Sequence, residues 1–129
     1  LISTGTPWEK IVGYSRAVRV GELVFVSGTV AADEGGAIVA PGDAGEQARF
    51  ILRKIDKALS EAGAAMGDVV RTRMYVTDMA LMDAVGAAHG EVFGAIRPAS
   101  TMVAVAGLVP GALVEIEVEA VVGSRLRRG

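Results

Sequence analysis

Along this chain the spacing of apolar positions switches between a period of two and a period near 3.6, and the switches divide it into elements. Residues 1–14 show no period and read as an irregular arm that holds Pro7 and Trp8. Residues 15–20 and 23–27 are short runs rich in β-branched side chains. Gly21-Glu22 between them is a two-residue link with glycine first, which predicts a tight hairpin. Residues 29–41 carry Gly35-Gly36, Pro41 and Gly42 and read as a surface loop, with a short extended piece at 37–39. Asp43 followed by Glu46 resembles a capping box, and Ala48, Ile51, Leu52, Ile55, Leu59 and Ala62 then recur at helical spacing until Gly63. Arg49, Arg53, Lys54, Asp56 and Lys57 fall off that stripe and predict a solvated outer face.

Residues 69–77 alternate again, with Val70, Thr72, Met74 and Val76 on one side and Arg71, Arg73 and Tyr75 on the other. Asp78 is placed to cap a second helix running to about Phe93. Its inner stripe holds Leu81 or Met82, Val85, Ala88, His89 and Val92. Arg97-Pro98 restarts an extended course, residues 101–106 and 113–122 read as two more strands, and the tail from Gly123, with Arg125, Arg127 and Arg128, reads as a frayed end. The order strand, strand, helix, strand, helix, strand, strand predicts one α+β domain spanning 1–129, with two helices on one face of a mixed sheet. The other face, bearing Arg71, Arg73, Tyr75, Glu115, Glu117 and Glu119, is left bare.

Composition narrows the chemistry. The 129 residues are 51% hydrophobic but only 5% aromatic, so a core of small aliphatic side chains is expected, with part of the apolar surface hidden between subunits. Thirteen Lys and Arg against fifteen Asp and Glu give a net charge of -2, the wrong sign for a surface that tracks phosphate backbones, so no nucleic-acid partner is expected. With no cysteine and a single histidine, thiol nucleophiles, disulfides and Cys/His metal sites are excluded. The lack of disulfides agrees with a cytoplasmic setting. No run of about 18 apolar residues spans a bilayer, and residues 1–5 lack the features of a signal peptide, so neither membrane attachment nor export is expected.

Several short segments, in order and at compatible spacing, carry a resemblance: Tyr14-Ser15, Val26-Ser27-Gly28, the helix start near Asp43, residues 69–78, Arg97-Pro98-Ala99, and Val114-Glu115-Ile116-Glu117. Over residues 14–122 the chain resembles the Rid family, also called YjgF/YER057c/UK114 or endoribonuclease L-PSP. The resemblance implies a chorismate-mutase-like fold and a homotrimer with clefts between subunits. It also implies hydrolysis of reactive enamines or imines, such as 2-aminoacrylate, without metal or cofactor. One departure bears on substrate: where the archetypal deaminases carry a carboxylate-binding arginine after the Pro-Ala pair, this chain has Ser100, and a hydroxyl does not replace a bidentate cation.

Imine hydrolysis needs a positioned water, a proton shuttle to nitrogen and a seat for the substrate's polar end. Glu115 matches the family's cleft glutamate and is the candidate acid/base. On its alternating strand, however, Glu115, Glu117 and Glu119 form one face that could equally be solvated or paired with arginines. Arg97, three residues before Ser100, is a candidate for the missing charge; the alternative is an exposed helix-end arginine. Arg73 is a second candidate cation, with cross-strand pairing to the glutamates as its structural alternative. Tyr14 and Gly28 are candidate substrate-binding positions by resemblance. Ser100 and Thr101 offer hydroxyls, with no histidine expected nearby to activate either. His89 is expected to pack in the core or an interface. The functions in view are therefore a Rid-type hydrolase, a non-catalytic trimeric module that binds a metabolite, and, less favoured, a ribonuclease or translation inhibitor.

Overall fold

The computed structural model describes residues 1–127. Five strands, β1 (Ala17–Val20), β2 (Leu23–Thr29), β3 (Val69–Val76), β4 (Ala99–Ala104) and β5 (Val114–Val121), form one mixed sheet in the order β1-β2-β5-β3-β4. Helices α2 (Ala44–Glu61) and α3 (Met82–Phe93) pack together on one face, as the pattern predicts, and β3 and β4, joined through α3, are the single parallel pair. β1 and β2 pair Val20 with Leu23 around Gly21-Glu22, and Gly21 has φ +60, the left-handed value that a glycine-first tight turn requires.

The oxygen Oδ1 of Asp43 accepts the Glu46 amide at 3.0 Å and starts α2; the Glu46 side chain turns to Arg49 rather than closing the box. Ala48, Ile51, Leu52, Ile55, Leu59 and Ala62 are all buried, facing Val24, Val69, Val114, Ile116 and Val118 of the sheet. Burying each of the large aliphatic chains contributes roughly 1.5–3 kcal/mol. Gln47, fully buried, ties the helix to the loop before β5: its side chain accepts the Leu113 amide and donates to the Ala40 and Gly111 carbonyls. No helix among the described residues is long and apolar enough to cross a membrane.

Three expectations change and one open alternative is settled. Within residues 1–14, Pro7–Val12 form a short helix, α1, and Ile2 bridges to Ala17 at the sheet edge. Proline at the first turn and Gly13 at the left-handed end were its only signals, because six residues are too few to show a period. A register irregularity between Val69 and Arg71 buries Val69 where Val70 was expected. Of the second helix's two candidates, Leu81 packs on the core and Met82 is exposed. The tail through Arg127 is anchored: Ser124–Leu126 make a 3₁₀ turn, and Arg125 bonds buried Asp68 with its amide and its guanidinium. Arg128 lies outside the described residues.

Candidate active site

The bare face of the sheet is as expected in membership, and its three glutamates differ in what they touch. Registry places Tyr75 opposite Glu115, Arg73 opposite Glu117 and Arg71 opposite Glu119. The Tyr75 hydroxyl donates a very short hydrogen bond to Glu117, and this raises the phenol's pKa. Arg73 bonds Glu119 at 2.8 Å and lies 3.7 Å from Glu117. Glu115 accepts no hydrogen bond among the described residues. Burial pushes its carboxyl above the ordinary range, the Glu117 charge pushes the same way, and the Arg16 guanidinium opposes both.

Glu115 faces a cavity of about 250 Å³ at the end of β2 and β5, roofed by α1 and lined also by Trp8, Val12, Tyr14, Arg16, Gly28, Val30, Lys54 and Val109. That volume suits a small metabolite rather than a drug-sized ligand. The wall is built by a bulge: Val26 pairs with Val118 and Thr29 with Ile116, so three steps on β2 match two on β5. Gly28 sits in this bulge beneath the Glu115 carboxylate. A Cβ there would stand 2.8 Å from Oε2 and 2.9 Å from Cδ of Glu115, so glycine at 28 leaves the space that the carboxylate occupies.

Arg16 is buried and held on several sides. Its Nη1 donates to the Gly28 carbonyl at 2.8 Å and to the Thr29 hydroxyl at 2.9 Å, Nη2 reaches the Tyr14 hydroxyl at 3.3 Å, and Nε faces Glu9 at 3.4 Å. Glu9, itself buried on α1, receives the hydroxyls of Ser3, Thr4 and Thr6 and the Thr4 amide. Burial alone would raise its carboxyl, but these donors outweigh it and hold the group at about 2. The arm thus folds around one buried carboxylate, which in turn positions Arg16 in the cavity wall. Lys54, expected on the solvated face, is half-buried: its ammonium donates to the Ala32 carbonyl at 3.0 Å. Burial pulls it below the ordinary lysine range, Arg16 adds to this, and Glu9 and Asp33 oppose it.

Of the residues singled out in the sequence, the structure brings Tyr14, Gly28 and Glu115 together. Arg73 lies on the same sheet face but is engaged by Glu119. Thr101 pairs with Arg73 on β4. Ser100 pairs with Thr72 and points to the helix side, where the Thr72 hydroxyl donates to it at 2.8 Å and meets Nε2 of His89 at 2.9 Å. His89 is thus two hydrogen bonds from Ser100, contrary to the expectation of no histidine nearby, and its half-buried ring also packs on Phe93 at 4.6 Å. Arg97 is exposed after α3 with φ +59, an uncommon conformation for a residue other than glycine, and makes no ion pair among the described residues.

The sequence reading missed Arg16, Lys54, Trp8 and Val109. Lys54 had a signal, since it falls three residues after Ile51 and four before Ala58, on the edge of the buried stripe. Arg16 had none, because its burial depends on Glu9 and on the bulge carbonyl at Gly28. Among the described residues there is no group of three or more His, Asp or Glu side chains able to hold a metal ion.

The model of the family described as Endoribonuclease L-PSP matches residues 5–122. This chain belongs to that family. Among solved structures it is similar to Rv2704 of Mycobacterium tuberculosis, described as a member of the YjgF/YER057c/UK114 family. The likeness has a TM-score of 0.86 and 48% identity, and covers 95% of this chain and 98% of that one. It is 34% identical to the 3-aminoacrylate deaminase RutC of Acinetobacter baylyi, over 90% of this chain and 91% of that protein. It is 33% identical to a mouse 2-iminobutanoate/2-iminopropanoate deaminase, over 95% of this chain and 91% of that protein. The α+β sheet with helices on one face is therefore the fold of the L-PSP family, and two relatives that match over nine-tenths or more of this chain are named as deaminases.

Proposed function

We propose that this L-PSP family chain is a Rid-type deaminase that hydrolyses a small imine or enamine to a carbonyl compound and ammonia, at clefts between the subunits of a cytoplasmic homotrimer. The observation that carries the reading is the state of Glu115: half-buried, without a hydrogen-bond partner among the described residues, made more basic by burial, and facing a small cavity. A carboxylate so placed accepts a proton from water as the oxygen attacks the imine carbon. It passes that proton to nitrogen to give a carbinolamine, then takes the carbinolamine hydroxyl proton and delivers it to nitrogen as the carbon–nitrogen bond breaks, so that the carbonyl forms and ammonia leaves. Glu117 and Glu119, spent on Tyr75 and Arg73, lack that freedom.

The trimer is supported by the uncovered sheet face, where Leu23, Phe25 and Val103 stand 46%, 44% and 42% exposed beside the charged residues. In such an assembly Arg97 and Thr101, outside the cavity of their own subunit, would serve a neighbouring one, whereas Ser100 is turned to the helix side. Sedimentation as a monomer at micromolar concentration overturns this part. The absence of cysteine suits a reducing compartment.

The test is hydrolysis of 2-aminoacrylate released by a coupled dehydratase, comparing wild type with Glu115→Gln and Arg97→Ala. Acceleration that Glu115→Gln abolishes supports the reading, and a rate equal to the uncatalysed one for this and for longer-chain imines overturns it. A second reading, a non-catalytic metabolite-binding trimer, is favoured by Ser100, whose hydroxyl bonds Thr72 on the helix side instead of supplying a cation to a substrate. Ligand-dependent melting shifts without turnover would select it.

A further inference from the structure

A second cavity, of about 220 Å³, opens between the N-terminal arm, the loop after β2 and α2, and Lys54 is the one lining residue it shares with the Glu115 cavity. Its walls carry both signs of charge. Lys54 and Lys57 stand one helical turn apart on α2, while Asp33 and Glu34 are consecutive on the loop. None of the four makes an ion pair among the described residues: neither ammonium comes within ion-pair distance of either carboxylate. Lys54 gives one of its three N–H groups to the carbonyl of Ala32, a residue of this same wall. Asp33 uses Oδ1 for the Gly35 and Ala37 amides, and its Oδ2 accepts nothing among the described residues. Thr4 and Thr6, on the arm side, spend their hydroxyl protons on buried Glu9, and Phe50 adds the face of a half-buried ring.

We propose that this second cavity is a binding site for a free α-amino acid, whose carboxylate lies at the Lys54 and Lys57 ammonium groups, whose α-ammonium faces Asp33 and Glu34, and whose apolar side chain packs on Phe50. A simple anion would meet two carboxylates here and a simple cation two ammonium groups. A zwitterion answers both signs at once, and the volume suits a molecule of amino-acid size. Burial lowers the basicity of Lys54, and a carboxylate entering beside it relieves that penalty. The site calls on neither Glu115 nor Arg16, so it stands apart from the deaminase reading and from that reading's substrate.

The experiment is an NMR titration of the whole chain with L-leucine and with two derivatives that each lack one charge, N-acetyl-L-leucine and L-leucinamide. Wild type should bind L-leucine in the millimolar range or tighter and each derivative about fivefold more weakly, the most that one ion pair open to solvent supplies. Glu34→Gln should weaken L-leucine binding and leave N-acetyl-L-leucine, which has no ammonium, unchanged. Lys57→Met should weaken L-leucine binding and leave L-leucinamide, which has no carboxylate, unchanged, and Lys57→Arg should restore the affinity. Both residues are exposed, so these variants keep the fold. Glu115→Gln should bind L-leucine as wild type does. Absence of L-leucine binding to wild type, or equal affinity for the three ligands, overturns the inference. So does binding that Glu115→Gln weakens and Lys57→Met does not, which would place the amino acid in the Glu115 cavity.

Discussion

Three glutamates project from β5 onto one face of one sheet, and their surroundings give them different chemistry. Glu117 and Glu119 lie in the middle of the face, where β3 supplies Tyr75 and Arg73, and each spends its charge on a neighbour. Glu115, two residues from Glu117, lies where the β2 bulge opens the sheet and α1 covers it, and no donor among the described residues reaches it. Alternation sets which face a side chain occupies. Whether that side chain is structural or reactive is set by partners from other strands, and these depend on registry.

The largest effect that would sharpen this contrast is on turnover. Glu115→Gln should lower kcat by about 10²–10⁴, the usual worth of a general acid/base, while Glu117→Gln and Glu119→Gln stay within about threefold. Comparable losses in all three would show that the face acts as a charge field, and the comparison would collapse. The acid limb of the wild-type rate profile should fall at a pH above the ordinary carboxylate value of 4.5, since burial raises Glu115.

Next in size is the carboxylate on the other side of Arg16. The folded value of Glu9 is about 2, against 4.5 ordinarily, so the group is more acidic in the native state. Its contribution is present above about pH 4.5 and is lost as pH falls toward 2. A shift of that size corresponds to roughly 3 kcal/mol. Denaturant titrations from pH 6 down to pH 2.5 should show Glu9→Gln flattening that part of the acid loss, and an unchanged slope would show that the arm folds independently of this charge.

The elements were legible where period and punctuation agreed: the hairpin at Gly21-Glu22, α2 with its Asp43 start and Gly63 end, and the split of β3 into an apolar and a polar side. α1 was not, because its stability comes from the Glu9 cluster rather than from an amphipathic stripe. Within the site, Glu115, Tyr14 and Gly28 were legible through family resemblance. The separation of Glu115 from Glu117 and Glu119 was not, because it depends on which cross-strand neighbour carries a donor. Arg16 was invisible for the same reason: a buried arginine is stabilised by carbonyls and hydroxyls whose convergence no linear spacing records.

A smaller effect isolates the bulge. Gly28→Ala brings a methyl within 2.8 Å of the end of a flexible side chain, so the fold yields by moving Glu115 rather than the backbone. Stability should change by less than about 1 kcal/mol, whereas kcat/KM should fall about tenfold, since small misplacements of a catalytic group are costly. Equal losses of stability and activity would mean that the glycine serves the strand turn alone.

The smallest effect is expected at Arg73, which the sequence offered as a substrate-binding cation and the structure occupies with Glu119 and Glu117. Its side chain is 36% exposed, so solvent screens the pair. Arg73→Gln should therefore leave stability almost unchanged, and any loss should shrink further at 1 M salt, where the screening length falls to about 3 Å. KM for an anionic imine should stay within about twofold, because the guanidinium lines neither cavity that Lys54 borders. A tenfold rise in KM at unchanged stability would show that a neighbouring subunit turns this central patch toward a cleft. Glu117 and Glu119 would then be its counter-ions in waiting, and the division between a spent and an unspent half of the β5 face would hold only for the isolated chain.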